Sequence, residues 1–307
     1  MPEKIALVGI GKIARDQHIP SIHADKDWEL AAVASRNASL EGVDNFSSLD
    51  ELLEKRPDIS TISLAIPPQP RFDYAVKALK ARRHVMLEKP PGQSLAECFE
   101  LEKLAKEMGV TLYASWHSRA ADCVPDAKNW LAGKALKSLR ITWKEDVRRW
   151  HPGQDWIFEP GGMGVFDPGI NALSIMTEIL PNPVHVQQAT LAFPENRDTP
   201  IAAQLMFHHS GGAQVSAEFD WLQEGLQSWD IEVETEQGTM KLAMGGSTMF
   251  VNDELVKEGA DHEYANLYRR MAELVQAGQS DVDLSPLVHV SDAFALGRRV
   301  TVAPFEF

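Results

Sequence analysis

Through the first 115 residues the apolar positions follow two rhythms. Short unbroken runs rich in β-branched residues have the length of strands buried on both faces: Ile5-Ala6-Leu7-Val8, Leu30-Ala31-Ala32-Val33, Ile59 to Ile66, His84-Val85-Met86-Leu87 and Val110-Thr111-Leu112-Tyr113. Between them, Phe72–Leu79 and Leu95–Met108 carry apolar residues at helical spacing. In the second, Leu95, Phe99, Leu101, Leu104, Ala105 and Met108 make a stripe, and Gly109 stands where a helix C-cap belongs. Strand–helix alternation of this kind predicts an α/β domain with a doubly wound parallel sheet, assigned to residues 1–119.

The texture changes near residue 120. A helix is expected at Asp122–Leu131, a strand at Leu139–Trp143, a Gly/Pro/Trp-rich loop from Val147 to Gly164, and a helix at Pro168–Leu180. Period-two alternation then predicts strands at Gln187–Phe193, Ile201–His208, Ala213–Trp221, Ser228–Glu234 and Thr239–Met244, with a helix at Glu263–Ala277. Residues 120–307 therefore read as an α+β domain for substrate binding and oligomerisation, built on an open, mainly antiparallel sheet. The exposed face of that sheet is the expected surface of a homodimer.

Composition narrows the function. The formal net charge of −14 disfavours broad contact with nucleic acid, whose phosphates need clustered Lys and Arg. No apolar run reaches the ~18 residues of a membrane helix, and the N-terminus runs directly into a strand, leaving no secretory signal. Cys98 and Cys123 are far apart and in no Cys-x-x-Cys pair, so neither a disulfide framework nor a metal site is expected, and a reducing cytoplasm suits the chain.

Three motifs carry chemistry. Gly9-Ile10-Gly11-Lys12-Ile13-Ala14 follows the first strand and opens a helix, the context of a Rossmann dinucleotide turn. Two glycines permit a tight turn and close approach of a pyrophosphate, which then meets the helix N-terminus. An ordinary glycine turn is the alternative. The second strand ends Val33-Ala34-Ser35-Arg36-Asn37 without the carboxylate that selects NAD. Ser35 and Arg36 suit a 2′-phosphate, so NADP is the preferred cofactor, with NAD accepted if Arg36 instead stacks on the adenine.

Glu88-Lys89-Pro90-Pro91 closes the fourth predicted strand. Ligands of such sheets bind beyond the carboxyl ends of the strands, which favours an active-site Lys89 over a surface turn. The third motif is Gly161-Gly162-Met163-Gly164-Val165-Phe166-Asp167-Pro168-Gly169-Ile170-Asn171. On a helix, Asp167 and Asn171 lie one turn apart on one face, where they can grip neighbouring hydroxyls of a polyol. An N-cap aspartate before proline is an equally good reading of Asp167 alone.

In this order and spacing the motifs resemble the Gfo/Idh/MocA oxidoreductases over nearly the whole chain. One departure stands out: Asn171 occupies the position where that family usually has a histidine, and an amide cannot shuttle a proton. Gly9 to His18, Trp116-His117-Ser118-Arg119 and Trp143 to Gly153 resemble more closely the L-arabinose 1-dehydrogenase and D-galactose 1-dehydrogenase branch. That resemblance implies oxidation of an aldopyranose at C1 to the lactone. It also implies sugar contacts from Lys89, His117, Glu145, His151, Asp167 and Asn171, and cofactor contacts from Gly9, Ile10, Gly11, Lys12, Ile13, Ser35, Arg36, Glu88 and Lys89.

The residue types suit a sugar, which is held by polar groups and covered by aromatic faces. Six of the eight tryptophans fall between residues 130 and 229, and Trp150 and Trp229 are the candidates for a pocket wall, although core burial is the commoner fate of a tryptophan. Asp167 is the expected base and Lys89 the hydrogen-bond donor; the reverse assignment needs a lysine pKa lowered by several units, which a neighbouring carboxylate opposes. Two rivals remain: inositol or keto-sugar chemistry on the same scaffold, and a non-catalytic dinucleotide-binding sensor.

Overall fold

The computed structural model describes residues 2–307 and divides the chain into two compact units. The first comprises Met1–His117 together with Glu263–Leu284; the second comprises Ser118–His262 together with Ser285–Phe307. Each is discontinuous in sequence. No helix among the described residues is long and apolar enough to cross a membrane.

The first unit holds a six-stranded, wholly parallel sheet. Its strands are β1 (Glu3–Val8), β2 (Trp28–Ala34), β3 (Asp44–Phe46), β4 (Thr61–Leu64), β5 (His84–Leu87) and β6 (Leu112–Ala114), in the order β3-β2-β1-β4-β5-β6. This is the doubly wound Rossmann order, with its reversal at β1/β4. Ile5, Ala6, Leu7 and Val8 of the central strand are buried, because helices cover both faces of the sheet. Ser48 and Ser94 cap the helices Leu49–Lys55 and Leu95–Met108, their hydroxyls accepting from the amides of Glu51 at 3.2 Å and Glu97 at 3.3 Å. Each cap is worth about 1 kcal/mol. Gly109 closes the second of these helices at φ +67°, the left-handed cap its position predicts.

The helix Glu263–Ala277 forms with the boundaries its periodicity predicts, but it packs within the first unit. Sequence order alone puts it in the second domain with the rest of 120–307, and the structure corrects that boundary. An amphipathic stripe (here Tyr264, Leu267, Tyr268, Met271, Ala272 and Leu274) fixes which face is buried and not which sheet it covers. Trp28 Nε1 donates to the Tyr268 carbonyl at 2.9 Å. Beyond the helix, Asp281 runs alongside β6, its amide donating to the Leu112 carbonyl at 3.0 Å and its own carbonyl accepting from the Ala114 amide at 2.9 Å. The edge of the sheet is thereby covered.

The second unit is a nine-stranded sheet with helices on one face. Its strands are β7 (Leu136–Lys144), β8 (Val184–Pro194), β9 (Ala202–His209), β10 (Gln214–Asp220), β11 (Ser228–Thr235), β12 (Gly238–Ala243), β13 (Thr248–Val251), β14 (Glu254–Glu258) and β15 (Arg298–Val302). They run in the order β14-β13-β12-β11-β7-β10-β9-β8-β15, antiparallel except at β7–β10 and β8–β15. Alternation sets the two faces: in β9 Ala203, Leu205 and Phe207 point inward, while Gln204, Met206 and His208 are exposed. The helices Val124–Leu131, Phe166–Ile179 and Ser285–Leu296 lie on the inner face. The outer face carries ion pairs, among them Lys144–Glu218 and Lys241–Asp230 at 2.7 Å each.

Candidate active site

The turn after β1 is shaped by what a side chain would strike. Gly9 has φ +92°, and a Cβ there would stand 2.6 Å from the Ala65 carbonyl oxygen. A Cβ on Gly11 would meet nothing within 4 Å, so the space over that residue is open to a ligand. Ala14 is fully buried, where only a small residue lets helix and strand pack closely. Helical geometry begins at Lys12, with Lys12 and Ile13 exposed at its start, Lys12 in an ion pair with Asp16, and Ile10 buried beside the turn. A pyrophosphate fits this cradle of amides at a helix N-terminus. Ser35 and Arg36 follow β2, the first half-buried and the second exposed.

Beyond β5 the chain turns through Glu88, Lys89 and a cis Lys89–Pro90 bond. The buried Arg71 guanidinium lies beneath the turn and donates to the carbonyls of Ile66, Glu88 and Pro90. Glu88, expected as a cofactor contact, points its carboxylate into the interior. Oε2 accepts the Lys89 amide at 2.8 Å; Oε1 accepts from Tyr264 at 2.7 Å and meets His18 Nε2 at 3.1 Å. His18 Nδ1 meets the Tyr268 hydroxyl at 2.6 Å, which in turn reaches Ser63 at 3.2 Å. Burial alone would raise the Glu88 carboxyl; the His18 hydrogen bond, the charges of His18 and His117, and the Tyr264 hydroxyl outweigh it and hold the group below the usual carboxylate range.

His117 stacks on Tyr264, ring centroids 5.5 Å apart, and its Nδ1 lies 2.5 Å from Glu263 Oε2. Burial pushes this imidazole down, but the charge and hydrogen bond of Glu263, with the charge of Glu88, raise it above its ordinary value. Lys89, half-buried, is thus seated on a turn braced by Arg71 and Glu88. His18, Arg71, Glu263, Tyr264 and Tyr268 are the residues that motif reading missed.

In the second unit Glu145 follows β7 and is buried. Trp221 Nε1 donates to its Oε1 at 3.1 Å and Trp229 Nε1 to its Oε2 at 2.8 Å. Burial raises the Glu145 carboxyl, and neighbouring Asp167 adds to the rise, against the two indole bonds and His151. Trp150, exposed, meets Trp229 edge-on at 5.9 Å and donates to Gln227 at 2.6 Å, so the two expected wall residues do come together. Trp221 was not singled out in the sequence; its burial gave no signal there.

Asp167 sits in the first turn of Phe166–Ile179, and the helix N-cap is Val165, two residues earlier than an aspartate cap would require. The carboxylate is buried, with Oδ2 3.4 Å from His151 Nε2. Asn171 follows one turn along the same helix, half-buried. The glycines before the helix fix its approach: a Cβ on Gly162 would lie 2.2 Å from the Ile157 carbonyl oxygen, and one on Gly164 2.2 Å from that of Pro200. Downstream of His151, the turn Asp155–Phe158 is held by Arg197, which pairs with Asp155 at 2.6 Å and lies 5.5 Å over the Phe158 ring. Among the described residues, no group of three or more His, Cys, Asp or Glu side chains is disposed to hold a metal ion.

Residues 3–115 match the Gfo/Idh/MocA model, an oxidoreductase family with an NAD-binding Rossmann fold. The chain is 42% identical to a galactose 1-dehydrogenase of Pseudomonas fluorescens, with 99% of each covered. It is similar to the crystal structure of a D-galactose-1-dehydrogenase from Rhizobium etli, at 52% identity and a TM-score of 0.96, covering 99% of this chain and 98% of that one. A 3-ketoreductase from Actinomadura kijaniata, solved with NADP and TDP-benzene, shares the fold at 18% identity and a TM-score of 0.85, covering 98% of this chain and all of that one. Through its NAD(P)-binding Rossmann sheet and its likeness to a relative along its whole length, this chain belongs to the Gfo/Idh/MocA family of oxidoreductases.

Proposed function

We propose that the protein is an NAD(P)-dependent aldose 1-dehydrogenase, oxidising C1 of D-galactose- and L-arabinose-type pyranoses to the lactone. Its similarity along the whole chain to two galactose 1-dehydrogenases supports the substrate class. The observation that carries the reading is the Glu145–Trp221–Trp229 cluster with Asp167 and His151 within its electrostatic reach. A carboxylate locked by two indoles can accept sugar hydroxyls, and aromatic walls cover the C–H faces of a pyranose.

Gly9 to Ile13 hold the dinucleotide, with Ser35 and Arg36 at its adenosine end favouring NADP over NAD. The bound nicotinamide supplies the hydride acceptor. Lys89 Nζ donates a hydrogen bond to O1 of the sugar, and Asp167 accepts the O1 proton as C1 becomes a carbonyl. His117, Asn171, Glu145 and His151 hold the remaining hydroxyls, with Trp150 and Trp229 as the wall. Galactose and arabinose share the ring stereochemistry and differ at the C6 hydroxymethyl, so the choice between them rests on pocket volume, worth about 1–3 kcal/mol. Self-association through the open face of the nine-stranded sheet belongs to the same reading, and sedimentation tests it.

The deciding experiment follows nicotinamide absorbance with a panel of aldoses, inositols and keto-sugars, using NADP and NAD. Turnover of galactose and arabinose, with lactone as product, is the expected result. Turnover confined to an inositol or a keto-sugar overturns the reading.

A further inference from the structure

The acceptance of a proton by Asp167 leaves that proton in a buried place. Asp167 is 6% exposed, and the group must return to its charged form before the next turnover. Asn171, Glu145 and His151 of the second unit are read with it as sugar contacts. Asn171, one helical turn on, is an amide and carries no proton. Glu145 is 7% exposed, and both of its carboxylate oxygens accept from indole N–H groups. His151 differs from both. Its Nε2 faces Asp167 Oδ2 at 3.4 Å, its Nδ1 faces Gln154 Oε1 at 3.5 Å, and its side chain is 23% exposed against 8% for Asp167.

The ring is also held in place. The His151 amide donates to the Val147 carbonyl at 2.8 Å, and Trp221 covers the imidazole at 5.4 Å between ring centroids. Trp221 is the same residue that donates to Glu145, so one indole seats both the imidazole and the carboxylate. Asp167 from the helix faces the ring, and the charge of Glu145 at the end of β7 interacts with it.

We infer that His151 is the proton relay of the dehydrogenase reaction, carrying the proton from Asp167 to solvent. This rests on the proposed role of Asp167 and goes beyond a sugar contact. The O1–H bond breaks and its proton joins the Asp167 carboxylate as the C1 hydride leaves with its electron pair to the nicotinamide. Asp167 then gives that proton to His151 Nε2, and the resulting imidazolium releases one proton to water. The Nε2–Oδ2 separation is long for a hydrogen bond, as catalytic pairs often are before substrate is bound.

The test compares His151→Ala, His151→Gln and Asp167→Asn with wild type, using galactose and NADP, with and without added imidazole. For both His151 variants kcat should fall about 10²-fold or more, the usual worth of a positioned proton carrier. In His151→Ala, imidazole should restore kcat in a saturable way, and galactose KM should rise, through the lost sugar contact, by a smaller factor than kcat falls. Unchanged kcat in the His151 variants overturns the relay, as does a fall that imidazole does not reverse. His151→Gln, which preserves size and polarity, carries the kcat comparison if the alanine variant fails to fold. Asp167→Asn separates this inference from the one beneath it. If that variant keeps its kcat, Asp167 is not the acceptor; if it is inactive while the His151 variants are not, the relay alone fails.

Discussion

Trp229 donates its indole N–H to Glu145 Oε2 at 2.8 Å, and this bond partly offsets the burial that raises the Glu145 carboxyl. Trp229→Phe keeps an aromatic face and removes the donor. A hydrogen bond to a charged group is worth about 1.5–3 kcal/mol, so galactose KM should rise roughly ten- to a hundredfold with a smaller change in kcat. The raised carboxyl should also rise further, so KM should begin to climb at a higher pH than in wild type as the solution is acidified. Steady-state kinetics against pH check both effects. An unchanged KM would mean that the carboxylate is not held for the sugar.

Lys89 stands on a turn fixed from below by Arg71 and Glu88, so shortening its side chain should leave that turn in place. Lys89→Ala should lose about 10²–10³ in kcat, the usual cost of removing one preorganised donor. Cofactor affinity, measured by protein fluorescence, should stay near wild type.

At the adenosine end, Ser35→Asp with Arg36→Ala replaces a phosphate fork by a carboxylate. The new group accepts ribose hydroxyls and repels a 2′-phosphate, so the ratio of kcat/KM for NADP to that for NAD should invert. An unchanged ratio would show that another group reads this end.

The Glu88 carboxyl is held below its ordinary value in the folded protein. It therefore contributes stability that is present above the unfolded value and disappears as pH falls through the depressed folded value. Glu88→Gln should melt well below wild type near neutral pH, by an amount equivalent to about 3–5 kcal/mol, since it breaks a buried pair. The gap should narrow as the solution is acidified below about pH 4, where the unfolded carboxyl is protonated. Thermal melts across that range measure it.

Local signals were legible in the sequence. Runs of buried β-branched residues marked β1, β2, β4 and β5, and the helices Leu95–Met108 and Glu263–Ala277 formed with the predicted ends. β3, β13, β14 and β15 were not visible; most of their residues are exposed or half-buried, so no buried apolar run marks them. At the candidate site, Lys89, Glu145 and Asp167 stand out in the sequence because each lies in a motif. The contact of His18 with Tyr268 was not legible, because the two are 250 residues apart and neither residue signals the other. The orientation of Glu88 was hidden for the same reason: what turns it inward is Tyr264, 176 residues away.

The return of Glu263–Leu284 to the first unit sets the order in which the molecule can be finished on the ribosome. After His117 emerges, roughly 145 residues must be made before Tyr264 and Tyr268 arrive, about seven to thirty seconds at roughly 5–20 residues per second. Through that interval His18 and Glu88 lack their phenols, Trp28 lacks its carbonyl and β6 presents an uncovered edge. The nascent Rossmann sheet therefore stays open at the β6 edge, and its buried His18 and Glu88 lack partners, until residues 264–281 have been made.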